Sequence, residues 1–339
     1  MTAGGRLPDG PLRILTRSRR IALGCVAAAY LLGAAIIYLY IDDDAVSLAL
    51  SLPIATVAVL LILSLVNYTV RAWRWLVFSA HLGLPVPPTD NALYYLAGFS
   101  LTATPGKAGE AVRLWFLNAG HQVPYTRSMP VMVGDRIIDM WAVALIVLCS
   151  MSGFAAYHWQ SAALGLLILA CSVPILFPGV LNPTLNALLG LMPGQKRRLA
   201  RLRTLVRAMR QLSSLRTYGL TLAPTIIGWI AEGLALYLLV LHFGADIGFM
   251  STLFIFAFSM IVGAVSMLPG GLGSTEATMV LLMTSLGMGL DEALAATAIF
   301  RIVTFWFAVI LGLICVPLAM STVARHRLRG AVAHSAGAR

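Results

Sequence analysis

Continuous apolar runs are the feature that most constrains what this chain can fold into. Several of them, beginning with residues 21–40, reach the 18 or more residues that an α-helix needs to cross about 30 Å of hydrocarbon. A membrane β-barrel would show alternating polar and apolar residues instead. With 59% hydrophobic and 11% charged residues, the composition also excludes a soluble globular protein. We therefore predict an all-α integral membrane protein.

The first apolar run follows a basic segment, a pattern shared by signal peptides and first spans. Its length of about 20 residues exceeds the 7–15 that are usual for a signal peptide, and no A-x-A cleavage site follows it. We expect a retained span.

The distribution of charge orients the predicted spans. The net charge is +11, but the basic residues are confined mainly to the two tails and to short segments between apolar runs. Placing those segments in the cytoplasm leaves acidic loops outside, as the positive-inside rule requires. We predict a multi-pass protein of the cytoplasmic (inner) membrane with both termini cytoplasmic and no nucleic-acid partner. The six predicted spans are residues 21–40, 46–68, 129–153, 161–179, 219–242 and 292–320.

Polar residues near the span ends are predicted to lie at the membrane surface. Arg71 and Arg74 are expected to snorkel and mark topology, with headgroup contact as the alternative reading. Tyr94 and Tyr95 are expected to be interfacial anchors rather than ligands. Residues 196–216 carry leucines on one helical face and arginines on the other, a pattern typical of a helix lying on an anionic leaflet.

Two further apolar stretches, 91–104 and 249–289, are interrupted by proline and glycine. The first is too short to cross, and both of its ends must face the cytoplasm, so we predict a re-entrant hairpin over 91–118 that breaks at Pro105-Gly106. The second stretch has room for two crossings or for one hairpin entering from outside, and charge does not decide between them.

The two interrupted stretches share an ordered motif. In each, a proline-glycine break is followed by a glutamate, then by an intramembrane arginine and a tryptophan. Pro105 precedes Arg136 by 31 residues, and Pro269 precedes Arg301 by 32. The two arginine spans run in opposite directions in the predicted topology. This indicates an inverted repeat, an architecture of secondary transporters in which broken helices meet near the midplane. The second stretch is then a hairpin with its tip at 269–275.

The predicted architecture is six transmembrane helices plus two re-entrant helical hairpins arranged as an inverted repeat. The domains are a basic tail (1–20), a first repeat (21–160) with hairpin 91–118, a second repeat (161–320) and a basic tail (321–339). The second repeat contains the interfacial helix 196–216 and the hairpin 249–289.

Charges inside the membrane predict a site, because an isolated charge there costs at least about 2.5–3.5 kcal/mol. Arg136 and Arg301 are expected to hold a phosphate through forked hydrogen bonds, and the helix termini after the glycine breaks would point amide dipoles at the same anion. Glu276 or Glu232 is the expected counter-charge of Arg301. The alternative is that these ion pairs only lock helices together. The candidate substrate-binding residues are Pro105, Gly106, Lys107, Gly109, Glu110, Arg113, Asp135, Arg136, Asp139, Glu232, Pro269, Gly270, Gly271, Gly273, Ser274, Thr275, Glu276 and Arg301.

The sequence predicts neither catalysis nor a metal centre. The four cysteines and six histidines are scattered, and no Ser/His/Asp set or phosphate-binding loop is present. We expect no enzyme activity and no cofactor.

The motifs "TPGKAGEAVRLWFL", "DRIIDMWAV", "GWIAEG" and "LPGGLGSTEA" resemble the transmembrane-region family of lysylphosphatidylglycerol synthases, flippase-like membrane proteins, over residues 20–320. In full-length synthases such a region moves a charged lipid, and a separate domain transfers the aminoacyl group from tRNA. The resemblance implies the transport half alone, without the aminoacyl-transfer domain. The positions that match the family's polar residues are Pro105, Gly106, Glu110, Arg136, Pro269, Gly270, Gly273, Glu276 and Arg301.

The sequence therefore predicts a lipid flippase whose substrate is an anionic membrane lipid, phospho-, polyprenyl-phosphate-linked or aminoacylated. Glu110 and Glu276 are expected to exchange protons if transport is coupled to the proton gradient. Two alternatives remain, a membrane-embedded lipid-modifying transferase and a non-transporting accessory subunit of an envelope lipid or polysaccharide pathway.

Overall fold

The structure, a computed structural model, describes residues 51–104, 108–151, 163, 165–167, 169–170, 212 and 215–337. This part of the chain is helical and contains no β-strand. Three of its helical segments are long and apolar enough to cross a membrane: Ile54–His81, Arg216–His242 and Leu290–Leu328. The predicted spans 21–40 and 161–179 and the helix 196–216 lie wholly or mostly outside the described residues.

Helix α1 (Ile54–His81) extends well beyond the predicted end of its span at residue 68. Its 28 residues correspond to about 42 Å, longer than the hydrocarbon layer. The helix continues through Arg71 and Arg74 because both side chains have acidic partners inside the protein. It ends where Gly83 adopts a left-handed φ of 57°.

The first interrupted stretch forms two short antiparallel arms. Helix α2 (Pro88–Ala97) continues as a 3-10 turn over Gly98–Leu101, and a second 3-10 turn, Ala108–Ala111, leads into α3 (Val112–His121). Asp90 in the first turn of α2 lies 3.4 Å from His121 at the end of α3, so both arms begin and end side by side. The break at Pro105-Gly106 lies outside the described residues.

Helices α4 (Tyr125–Ser150) and α5 (Leu215–His242) pack against each other and carry most of the polar side chains of the site together with α1. Gly228 of α5 allows close approach to α1, since a Cβ there would lie 3.3 Å from the Asn67 Cα.

The second interrupted stretch folds back on itself between α6 (Phe249–Val265) and α7 (Ser274–Ser285). The reversal depends on left-handed backbone at Gly270, Gly271 and Gly273, conformations that glycine adopts without steric cost. The Gly273 N–H donates to Glu276 Oε2 at 2.7 Å, so the motif's acid also caps α7. With 12 residues, α7 is about 18 Å long.

The last helical segment is continuous from α8 (Leu290–Arg301) through a π-helical turn, Ile302–Trp306, into α9 (Phe307–Gly337). The helix thus runs past residue 320 into the predicted basic tail. Gly312 permits backbone contact between α9 and Ser100 of the first hairpin.

The turns of the two hairpins meet at the π-helical turn. A Cβ on Gly270 would lie 3.4 Å from the Ala103 Cα and 2.6 Å from the Phe305 ring. Ala103 and Phe305 are buried against each other in a small apolar cluster. Gly270 in the turn of the second stretch is therefore close to Ala103 of the first stretch.

Candidate functional site

A buried network of ion pairs joins α1 to α4. Arg74 is fully buried; its Nε donates to Asp135 Oδ1 and its Nη1 to Asp139 Oδ1, both at 2.9 Å. Its neighbour Arg71 pairs with Asp139 Oδ2 at 3.2 Å. Both arginines are thus held inside the protein, and the prediction that they snorkel at the membrane surface is wrong.

The first hairpin adds two more arginine contacts to this network. Arg136 Nη2 donates to Glu110 Oε2 at 2.6 Å and to Asp135 Oδ2 at 3.1 Å. Arg113 Nη1 lies 2.9 Å from the same Glu110 oxygen, as expected for two residues three apart on one helical face. We call this set the arginine cluster; it consists of Arg71, Arg74, Arg113 and Arg136 with Glu110, Asp135 and Asp139.

Aromatic rings cover the faces of the guanidinium groups. The Arg113 guanidinium lies 3.9 Å from the centre of the Tyr95 ring, and that of Arg71 lies 5.5 Å from the Trp229 ring. Trp229 also donates from Nε1 to Asp139 at 3.2 Å. Tyr95 is fully buried, as is Tyr94, so the prediction that these tyrosines are interfacial anchors is wrong.

The cluster carries an excess of positive charge and of hydrogen-bond donors. Four guanidinium groups face three carboxylates. Arg71 Nε, Arg113 Nη2 and Arg136 Nε are buried without a hydrogen-bond acceptor among the described residues. Asp139 Oδ2 is also buried without a hydrogen bond, although it lies 3.2 Å from Arg71 Nη2. Among the described residues of the cluster, the N–H groups without an acceptor therefore outnumber the carboxylate oxygens without a donor, whereas buried N–H groups normally find partners.

The second half holds the corresponding arginine. Arg301 Nε lies 2.6 Å from Glu276 Oε1, and its Nη2 donates to the Gly270 carbonyl at 3.1 Å. The guanidinium also lies 4.4 Å from the centre of the Phe305 ring. The predicted ion pair of Arg301 with Glu276 is therefore found. Arg136 and Arg301 thus each pair with the glutamate of the proline-glycine motif that precedes them in sequence.

A polar connection runs between the two arginine sites. Glu232 lies within electrostatic reach of Arg301 and of Tyr68. The Tyr68 hydroxyl donates to the Thr304 carbonyl in the π-helical turn. Tyr68 also lies one helical turn before Arg71, so α1 contributes side chains to both arginine sites.

The remaining predicted site residues are divided between three places. Pro105, Gly106 and Lys107 lie outside the described residues. Asp139 forms ion pairs with Arg71 and Arg74. The others serve the hairpins themselves: the Gly109 N–H donates to Thr104, and Ser274 bonds Ser266 across the second turn. Gly271, Gly273 and Thr275 shape that same turn, and Thr275 packs against Gly263.

The sequence contained a signal for the missed part of the site. Asn67, Arg71 and Arg74 follow the i, i+4, i+7 spacing that places residues on one helical face. Applying the positive-inside rule led to the prediction that Arg71 and Arg74 lie at the membrane surface. Their acidic partners on α4 are more than 60 residues away in sequence, which hid the pairing.

Comparison with known proteins agrees with the helical membrane fold. Residues 21–312 match the sequence model of the lysylphosphatidylglycerol synthase TM region. A UPF0104 membrane protein of Methanothermobacter thermautotrophicus is 23% identical over 276 residues, covering 74% of this chain and 81% of that protein. One of Pyrococcus horikoshii is 24% identical over 281 residues, covering 73% and 82%.

A shorter match involves a protein with a named activity. The phosphatidylglycerol lysyltransferase of Staphylococcus aureus is 28% identical over 104 residues, which cover 31% of this chain and 12% of that protein. The family match spans most of the chain. This integral membrane protein belongs to the family of the lysylphosphatidylglycerol synthase transmembrane region.

Proposed function

We propose that the protein transports a membrane lipid with an anionic headgroup between leaflets and that the arginine cluster binds the headgroup. The observation that carries the proposal is the excess of four guanidinium groups over three carboxylates, with buried N–H donors that lack acceptors among the described residues. A phosphate oxygen would accept those hydrogen bonds and neutralise the surplus charge.

The helices that carry the site support a lipid over a free anion. The cluster is built on α1 and α4, and α1 is long and apolar enough to cross a membrane. A lipid can present its headgroup there while its acyl chains stay in the bilayer, whereas a free anion must leave water entirely. The lysyltransferase relative is named for phosphatidylglycerol, an anionic lipid, which makes that lipid the first substrate to test.

We further propose that the site is shared by two inverted halves with re-entrant hairpins. The 12 residues of α7 fall short of the about 20 needed for a crossing, which favours a hairpin over two crossings in 249–289. Two observations support this arrangement. The Arg136–Glu110 pair matches the Arg301–Glu276 pair, and Gly270 approaches Ala103 beside the Phe305 ring.

In this proposal the protein moves the lipid without changing it chemically, and Glu276 is the carboxylate that would carry a proton. The Glu276 side chain is 26% exposed, whereas that of Glu110 is 1% exposed, so Glu276 is the more accessible of the two. If Arg301 leaves Glu276 to pair with the anionic headgroup, Glu276 can take up a proton. Headgroup movement would then be linked to protonation of Glu276.

A leaflet-exchange assay tests the proposal. The full chain is reconstituted into vesicles containing fluorescent phosphatidylglycerol, and dithionite quenching reports the exposed fraction of the label. We expect exchange with the native protein and its loss in Arg136→Ala and Arg301→Ala. The matched control Arg216→Ala removes an exposed arginine of α5 and should exchange normally.

Normal exchange by both site variants would refute transport through these arginines. Chromatographic detection of a new lipid product in the same vesicles would instead favour the transferase. Absence of exchange by native protein that binds the lipid would favour the accessory subunit.

A further inference from the structure

Two of the six histidines, which are scattered in sequence and for that reason predicted no metal centre, meet at the open end of the first hairpin. His121 at the end of α3 and His326 on α9 both direct Nε2 at Asp90 Oδ2 in the first turn of α2, at 3.4 and 2.8 Å. The two imidazole rings lie 4.3 Å apart, centre to centre. Three separate helices therefore each contribute one metal-ligating side chain to one point.

We propose that Asp90, His121 and His326 form a binding site for a divalent transition metal, with Zn²⁺ as the ion to test. Their ligand atoms all lie within 4.8 Å of one another. Two imidazoles and one carboxylate are a donor set that suits Zn²⁺.

The two distances that involve Asp90 are close to those of a tetrahedral zinc site. Bonds of about 2.0–2.2 Å place neighbouring ligands about 3.3–3.6 Å apart. The Asp90–His121 distance already matches, and the Asp90–His326 distance must open by about half an ångström. Three protein ligands leave one coordination position for water or for an oxygen of a bound anion.

The three side chains differ in how far they are exposed to solvent. The His121 side chain is 7% exposed, while those of Asp90 and His326 are 19% and 28% exposed. The site is therefore sheltered yet open to an ion from solution.

The three helices are held together independently of any metal. Arg327 Nε donates to the Ala119 carbonyl near the end of α3 at 3.0 Å. Gly120 permits close packing, since a Cβ there would lie 2.6 Å from the Tyr94 hydroxyl and 3.4 Å from Val323. Substitution of one ligand should therefore leave the fold intact.

Zinc titration of the full chain tests this site separately from lipid transport. The protein is purified in detergent through a tag without histidines, stripped with a chelator and titrated with Zn²⁺ alone. We expect about one ion per chain at saturation. Asp90→Asn and His326→Gln should each weaken binding by at least about tenfold, the loss seen when even outer-shell partners of a metal are removed. His242→Gln, at an exposed position on α5, should bind as the native chain does.

Cobalt provides a second readout in the native protein, which does not depend on the folding of a variant. Co²⁺ bound by two imidazoles and a carboxylate in four-coordinate geometry absorbs strongly in the visible range, and Zn²⁺ should displace it. Unchanged zinc affinity in Asp90→Asn and His326→Gln would overturn the proposal. So would a native chain that takes up no zinc, which would leave the cluster as hydrogen bonds only.

Discussion

At the scale of single residues, Asp135 is central to the charge balance of the arginine cluster. Its carboxylate contacts Arg74 and Arg136 and lies 3.9 Å from Arg113, in a side chain with no exposed surface. The ion pair of Arg301 with Glu276 could be predicted because both residues belong to one motif. The partners of Arg74 could not, since the helical face that it shares with Asn67 and Arg71 does not show which carboxylates on another helix it pairs with.

Asp135→Asn should destabilise the protein by about 3–5 kcal/mol, because it leaves four guanidinium groups, three of them on buried side chains, facing two carboxylates. Unfolding in detergent followed by circular dichroism measures the loss. Asp246→Asn, in an exposed loop, is the control and should change stability by less than about 0.5 kcal/mol.

The double variant Arg74→Met with Asp135→Leu should recover most of that loss, since an apolar pair of similar volume often replaces a buried ion pair at little cost. Equal stability of Asp135→Asn and the Asp246→Asn control would show that the cluster is solvated rather than buried.

At the scale of elements, the turn of the second hairpin depends on Gly270 because glycine has no side chain. Its φ of 62° would strain a residue with a Cβ, and that Cβ would lie 2.6 Å from the Phe305 ring. The proline-glycine pattern predicted the position of the turn, because a proline followed by several glycines disfavours a continuous helix, whereas the single prolines inside α4, α5 and α9 do not end those helices. The π-helical turn at Ile302–Trp306 could not be predicted, since it follows from how Arg301 and Tyr68 are held by other helices.

Gly270→Ala should lower the midpoint of thermal unfolding and slow leaflet exchange, because it adds both backbone strain and a clash with Phe305. Gly287→Ala is a matched control: its φ is 93°, but a Cβ there would meet open space. The strain alone costs on the order of 1–3 kcal/mol. If the two alanine variants behave alike, the contact between the hairpin turns contributes nothing beyond backbone conformation.

The chain as a whole combines features that composition reveals with contacts that it does not. Helical class and membrane location follow from continuous apolar runs, which can be recognised within a single stretch of sequence. The meeting of Asp90 with His326 joins residues that are 236 positions apart. No periodicity or charge count can indicate such a contact, because it depends on how the hairpin and the last helix pack.

Cysteine labelling checks the predicted topology of the whole molecule. In a background without native cysteines, Asp246→Cys and Asp291→Cys should react with a membrane-impermeant maleimide from outside intact cells. Arg127→Cys should react only after the membrane is opened. All three positions lie at or near helix ends among the described residues. Labelling of Arg127→Cys from outside would reverse the orientation and contradict the positive-inside argument.

The enclosure of Asp135 and Arg74 has a consequence for how this family can diverge. If one of the two residues is replaced, the other is left as a buried charge without its partner. We therefore expect the two positions to change together or not at all among homologues. Asp246 and other loop residues, free of such dependence, should drift separately. Paired substitution at these two positions in homologous sequences would therefore report the same ion pair that a single mutation breaks.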